Sequence, residues 1–172
     1  MIKFENVSVT YPGGVEALKD LNLEINDGDF IIIVGLSGAG KSTLLRTVNN
    51  LVKPSTGSVY LEGKNVTSAK KKELKKIRSQ IGMIFQTFNL VNRSTVLKNV
   101  LTGRLSNIST IRSILGLWPK DQKEMAFEAL NQVEILEKAY VRASNLSGGQ
   151  QQRVGIARAL SQKPKVMLAD EP

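Results

Sequence analysis

Apolar and polar residues alternate along the first stretch of the chain. In IKFENVSVTY (residues 2–11), Ile2, Phe4, Val7, Val9 and Tyr11 are apolar, with one slip of register near Glu5–Asn6. A period of two predicts a strand with one face buried and one in water. YPGG (11–14) reads as a turn, and ALKDLNLEI (17–25) alternates again, with Leu21, Leu23 and Ile25 on one side. NDGD (26–29) is a second turn, so these first strands are expected to pair antiparallel. The pattern then changes. FIIIVG (30–35) is apolar at both parities, which predicts a strand covered on both faces. Helical stretches are expected in KSTLLRTVNNL (41–51) and AKKKELKKI (69–77). Further strands are expected in GSVYLEG (57–63), IGMIF (81–85) and KVMLA (165–169). Residues 95–140 read as mainly helical, broken near GLWPKDQ (116–122). The segment 147–162 is a helix with Val154, Ala157 and Leu160 on one side. Strands alternating with helices after residue 30 predict an α/β domain with a mainly parallel core sheet and an antiparallel sheet at its N-terminal end.

One stretch carries chemistry by itself. GLSGAGKST (Gly35–Thr43) fits the spacing G-x-x-x-x-G-K-[ST]. Glycines let consecutive backbone N–H groups turn inward around a polyphosphate. The helix opening near Lys41 adds the positive end of its dipole. Lys41 supplies a compact positive charge for β- and γ-phosphates, and Ser42 a hydroxyl for Mg²⁺. Gly35, Ser37, Gly38, Ala39, Gly40, Lys41, Ser42 and Thr43 are therefore candidate nucleotide-binding residues. The loop follows an apolar strand pattern and opens a helix, as the motif requires, which argues against a chance match. In P-loop NTPases a second apolar strand ends in an acid that holds the metal. VMLADEP (166–172) fits, with Asp170 in that role, and Glu171 could polarise a water for attack on the γ-phosphate.

A third stretch, LSGGQ (Leu146–Gln150), precedes QQRVGIARAL. Ser147 is a good N-cap with Gln150 three residues on, a capping box. Gly148 and Gly149 leave the first-turn amides open to an anion. An ordinary well-capped surface helix would look the same.

With these motifs in order, the chain resembles the ATP-binding cassette ATPases over essentially its whole length. The shared marks are GLSGAGKST, the glutamine after a strand in IGMIFQTFNL, LSGGQQQRV, and VMLADEP. The resemblance implies one cassette domain over residues 1–172. Within it, 1–85 form a nucleotide-binding core with the antiparallel sheet, 86–145 a helical subdomain, and 146–172 the signature helix and acid-bearing strand. It implies a head-to-tail pair of copies, with ATP between the phosphate loop of one and the Ser147–Gln150 turn of the other. Ser147 and Gly149 would contact a γ-phosphate held mainly by the partner copy. Tyr11 matches the aromatic that stacks on adenine, although it also suits a strand-end core position. Gln86 matches the glutamine that senses Mg²⁺ and the attacking water. The segment Gln86–Leu90 would face membrane permease subunits.

The segment 99–154 resembles the phosphonate-import branch of that family: its Gly-Arg-Leu, its RSILGL stretch and KAYVRASNLSGGQQQRV are the shared marks. This implies uptake of a phosphonate or phosphate-like solute, energised by ATP hydrolysis. A solute-binding protein would take part indirectly, and the permease would hold the ATPase at the cytoplasmic face of the membrane. Ile111, Ile114, Leu115, Leu117 and Trp118 are many apolar groups for a surface hairpin, and a docking face for the permease accounts for them. Two alternatives stay open: a nucleotide-binding fragment with little turnover, or the ATPase of another transport system, for amino acids or lipoprotein release.

Composition narrows this further. The absence of cysteine excludes disulfides and thiolate metal sites, and the absence of histidine removes the commonest general base. The resemblance implies a switch histidine after an interface-crossing loop beyond the Glu-Pro, and these 172 residues are expected to lack that group. The core sheet is expected to lack neighbouring strands and to expose an apolar edge. No signal peptide is read at the N-terminus, and no apolar run approaches the ~20 residues of a membrane span. The net charge is +9, part of it in KKKELKKIR (70–78). A solvated helix face accounts for that run. A polyanion site or an anionic membrane surface is the alternative, and no nucleic-acid partner is expected.

Overall fold

The computed structural model describes residues 1–170 of the 172. Contacts divide the chain into two units, Met1–Arg78 and Ser79–Pro172.

The first unit is built on a four-stranded antiparallel sheet in the order β2-β1-β3-β4, comprising β1 (Ile2–Thr10), β2 (Glu16–Ile25), β3 (Thr56–Leu61) and β4 (Lys64–Asn65). Phe4 lies opposite Leu23 on one side and Val59 on the other, and Ile2 opposite Ile25 and Leu61. The alternation read from the sequence therefore buries Ile2, Phe4, Val7 and Val9. The slip at Glu5–Asn6 is a β-bulge, with the register shifting between Phe4 and Val7 and Asn6 at φ 49°. Asn6 and the Asn22 side chain exchange hydrogen bonds: the Asn6 backbone N–H donates to Asn22 Oδ1 at 2.9 Å, and Asn22 Nδ2 donates to Asn6 Oδ1 at 3.0 Å. The bulge drives the Asn6 carbonyl towards Gly57, where a Cβ would lie 2.2 Å from that oxygen. Glycine at 57 is what lets β3 close against the bulge.

Helix α1 (Lys41–Val48) lays Leu44, Thr47 and Val48 into the unit's interior and packs against β3 and β2. Its C-terminus is capped from α2 (Lys71–Arg78): Arg78 Nε donates to Asn49 O at 2.8 Å and Nη2 to Asn50 O at 2.9 Å. Those bonds satisfy carbonyls that the helix leaves open. On α2 itself Ile77 is buried, and Lys71, Lys72, Lys75 and Lys76 are exposed, as a solvated helix face is.

The strand expected over 30–35 does not form. Phe30 and Val34 are each 88% exposed, and among the described residues no strand pairs with this stretch. Its composition suits a strand with neighbours on both edges and cover on both faces. A strand cannot supply its own ladder partners, so the apolar side chains stay in solvent.

The second unit holds the parallel part of the fold. β5 (Ile81–Ile84) pairs with β6 (Val166–Ala169), Ile81 opposite Val166 and Ile84 opposite Ala169. Gly82 permits the close approach, since a Cβ there would sit 2.9 Å from the Met167 sulfur and from Pro164. A helical bundle follows: α3 (Val96–Leu101), α4 (Thr110–Ile114), α5 (Lys120–Gln132) and α6 (Gly148–Leu160), joined by 3-10 turns at Thr102–Asn107, Leu136–Lys138 and Ala143–Asn145. Val96, Val100, Leu101, Ala126, Leu130 and Val154 form its core, with Trp118 and Phe127 packed on the margin. Helix α4 and the residues after it contribute little to that core: Ile111, Ile114, Leu115 and Leu117 are 58–79% exposed.

Candidate functional site

The glycine-rich loop of the first unit closes on itself. Ala39 N donates to Leu36 O at 3.1 Å, and Gly38 and Gly40 take φ 82° and 84°, which L-side chains resist. The two glycines differ in surroundings. A Cβ at Gly38 meets nothing within 4 Å, whereas one at Gly40 would lie 2.2 Å from the Ala17 carbonyl oxygen. Gly38→Ala is therefore expected to cost only the left-handed backbone, about 1 kcal/mol. Gly40→Ala adds a displacement of β2 and is expected to cost about 3 kcal/mol or more in urea denaturation.

Lys41 sits in the first turn of α1 and folds back over the loop. Its Nζ donates to Gly35 O and Leu36 O, both at 2.9 Å. Both acceptors are neutral carbonyls, so the ammonium's charge stays available to an anion. Ser37 and Ala39 are exposed at the loop rim, Gly35 is exposed at its base, and Ser42 is half-buried on α1. Thr43 is buried, and its Oγ1 lies 3.1 Å from the Tyr11 hydroxyl. That bond ties the aromatic to the loop while leaving Tyr11 38% exposed.

The other candidate residues lie in the second unit. Asp170 follows β6 directly, its N donating to Ile84 O at 3.0 Å, and it is 2% exposed, the one buried acid among the described residues. Gln86 stands two residues beyond the end of β5 and is exposed. Glu171 lies outside the described residues. No three acidic side chains gather into a metal cluster among the described residues. Ser42 offers a hydroxyl in the first unit, and Gln86 and Asp170 offer an amide carbonyl and a carboxylate in the second. Each is a hard oxygen donor of the kind Mg²⁺ takes, and that ion keeps waters and phosphates as its other ligands.

At the start of α6 the capping box is complete. Ser147 Oγ accepts from Gln150 N at 3.4 Å, and Ser147 N donates to Gln150 Oε1 at 3.0 Å. Gly148 and Gly149 are exposed, neither has positive φ, and a Cβ at either meets nothing within 4 Å. The chain's own fold gives no reason for glycine at these two positions.

Three polar residues of the second unit tie its loops and helices together. Arg158, on α6, donates from Nη1 to Asn89 O at 2.8 Å and from Nη2 to Phe88 O at 2.9 Å. Asn99, buried on α3, accepts from Val91 N at 2.7 Å and donates to Val91 O at 3.2 Å. Buried Arg104 donates to Gln122 Oε1 and Ser161 O, both at 2.8 Å. Burial draws both guanidinium groups below their usual value, partly offset at Arg104 by Asp121. No spacing in the sequence singled out these three, because their targets are mainly backbone groups.

The sequence profile described as ABC transporter matches residues 18–172. The chain is 60% identical over all 172 residues to the phosphonates import ATP-binding protein PhnC of Bacillus thuringiensis subsp. konkukian (strain 97-27), covering 67% of that protein. It is 55% identical, with the same coverage, to phosphonates import ATP-binding protein PhnC 3 of Halalkalibacterium halodurans. Among solved structures it is similar to the dimeric post-hydrolysis state of the ATP-binding cassette MJ0796 bound to ADP and Pi. There the TM-score is 0.87 and the identity 39%, over 98% of this chain and 73% of that one. It also resembles cbiO1 of Clostridium perfringens, part of the transporter complex cbiONQ, with a TM-score of 0.81 and 32% identity, over 99% of this chain and 65% of that one. The profile match over residues 18–172 and the identity to these relatives over the whole chain show that the chain belongs to the ABC transporter family.

Proposed function

We propose that this chain is the ATP-binding subunit of an importer for phosphonate or a phosphate-like solute, hydrolysing ATP in a head-to-tail pair of copies. The observation that carries the solute class is the 60% identity over 172 residues to a protein named for phosphonates import. The site geometry supports the chemistry.

Lys41 and the amides of residues 35–43 bind the polyphosphate, and the dipole of α1 favours its negative charge. Tyr11, held by Thr43, offers its ring to the adenine. Ser42, Gln86 and Asp170 would hold Mg²⁺, which when bound neutralises charge on the phosphate oxygens. Gln86 orients the attacking water, and Glu171 accepts its proton. The turn Ser147–Gln150 closes over a nucleotide on the partner copy. Glycines that nothing inside the chain requires leave room for that close approach. The exposed apolar residues 111–117 form a docking face for a permease, together with the loop after Gln86. No described helix is long and apolar enough to cross a membrane. We place the subunit against the cytoplasmic side of its permease, with a solute-binding protein acting through that permease.

The test is growth of a Bacillus strain lacking its own phosphonates import ATP-binding protein, with a phosphonate as sole phosphorus source. The chain is expected to restore growth, and its Lys41→Ala variant to fail. ATP binding without restored growth would move the reading to a nucleotide-binding fragment. Restored amino-acid uptake instead would overturn the solute class.

A further inference from the structure

We infer that Arg158 is a positioning residue: its guanidinium rivets the loop after Gln86 to helix α6, so that the glutamine and the serine–glycine turn move as one piece. This rests on the roles proposed above for Gln86 and for residues 147–150.

The contact has the form of a clamp. Two amino groups of one planar fork reach the carbonyls of adjacent residues, Phe88 and Asn89, at 2.9 and 2.8 Å, from 70 and 69 positions away in the chain. A guanidinium presents its donors at a fixed spacing, so it fixes the orientation of that peptide as well as its distance. Asn89 sits at φ 49°, a left-handed turn conformation that asparagine tolerates and that turns the backbone sharply at the clamped residue. Both acceptors are neutral, and the side chain is half-buried. A charge kept out of water beside carbonyls is an expensive way to hold a loop that packing alone could cover.

The other end of the clamp is immobilised. Ser161 Oγ donates to Arg158 O at 2.9 Å, and Gly103 approaches so closely that a Cβ there would lie 2.4 Å from the same oxygen. Arg104 fixes Ser161 O in turn. From this anchored end α6 runs unbroken back to Gly148. At ~1.5 Å per residue, ten residues place the serine–glycine turn about 15 Å from the clamp. A continuous α-helix over that length transmits a displacement with little loss. A push on the loop therefore reaches the turn that the partner copy's nucleotide needs.

The experiment uses the full chain. It has no cysteine, so Thr87→Cys or Lys123→Cys takes a single spin label. Thr87 lies on the loop, and Lys123 is exposed on α5. Arg158→Gln is expected to mobilise the label at 87 and leave the label at 123 unchanged. Arg158→Lys, with a compact charge but no fork, is expected to fall between. In ATP turnover, Arg158→Gln is expected to lower kcat about tenfold or more with KM little changed, because misplaced groups slow chemistry without loosening binding. An unmoved label at 87 in Arg158→Gln overturns the inference. If the label at 123 also loosens, the bundle itself has given way and Arg158→Lys decides: it must mobilise 87 alone, or the clamp is rejected. Gln86→Ala separates the two readings. A fall in kcat there without one in Arg158→Gln removes the lever and keeps the glutamine's role. No fall in Gln86→Ala removes that role, and the label still judges the clamp.

Discussion

Lys41→Ala is expected to lower affinity for ATP about a hundredfold or more, with the fold intact. The substitution removes two things at once. Nζ closes the loop by donating to Gly35 O and Leu36 O at 2.9 Å. It also places a full positive charge at the N-terminus of α1, where the partial charge of the helix alone is about half as large. Charge-assisted hydrogen bonds contribute roughly 1.5–3 kcal/mol each, and losing two of them corresponds to a hundredfold or more in Kd. Residual binding would persist through the open amides of the loop, which alanine does not alter. Titration with a fluorescent ATP analogue measures the change, and a thermal melt shows whether the first unit is intact. Lys41→Arg keeps the charge but must fit a planar fork where the ammonium meets Gly35 O and Leu36 O, and an intermediate loss is expected. ATP affinity within threefold of the parent in Lys41→Ala would remove the phosphate-loop assignment and every role built on it.

Local features proved the most legible in the sequence. The period-two pattern of residues 2–11 announced β1 and even its irregularity, because a one-residue slip moves every later side chain to the other face. The Asn6 bulge is that slip. The capping box at Ser147 was equally readable, since it is decided within four residues. What depends on partners distant in the chain was not. FIIIVG has strand composition, but a strand exists only with neighbours to bond, and the described residues bring none to it. The polar clamps failed to announce themselves for a similar reason. Arg158, Asn99 and Arg104 act on backbone carbonyls and amides, which look alike at every position, so no spacing in the sequence identifies their targets. The resemblance to ATP-binding cassettes supplied the role proposed for Gln86, which a lone polar residue after a strand could not have carried, whereas the role proposed for Asp170 was already readable from the phosphate loop and the apolar strand before the acid.

Gly149→Asp is expected to abolish ATP-driven pairing and lower turnover by about a hundredfold or more, while leaving the chain as stable as before or slightly more so. The opposite signs are the point. Inside the chain a Cβ at position 149 meets nothing within 4 Å, and the backbone there is helical. Replacing glycine in the second position of α6 reduces the entropy lost on folding. A carboxylate in the first turn of a helix gains a further ~0.3–1 kcal/mol from the dipole. Everything local therefore favours aspartate. Across the proposed interface the balance reverses. A carboxylate about 4 Å from a phosphate charge costs about 4 kcal/mol at an effective dielectric near 20, roughly a thousandfold in the closed state. That cost falls at both nucleotides of a symmetric pair. Nucleotide binding by a single copy, which uses Lys41 and its loop, is expected to stay within twofold of the parent. Sedimentation with and without ATP reads the pairing, phosphate release reads turnover, and denaturation reads stability. Gly149→Ala, adding a methyl group and no charge, separates crowding from repulsion. A Gly149→Asp protein that pairs and turns over at the parental rate would mean that residues 147–150 are only a well-capped helix end. The second copy's nucleotide would then have to be closed by some other surface.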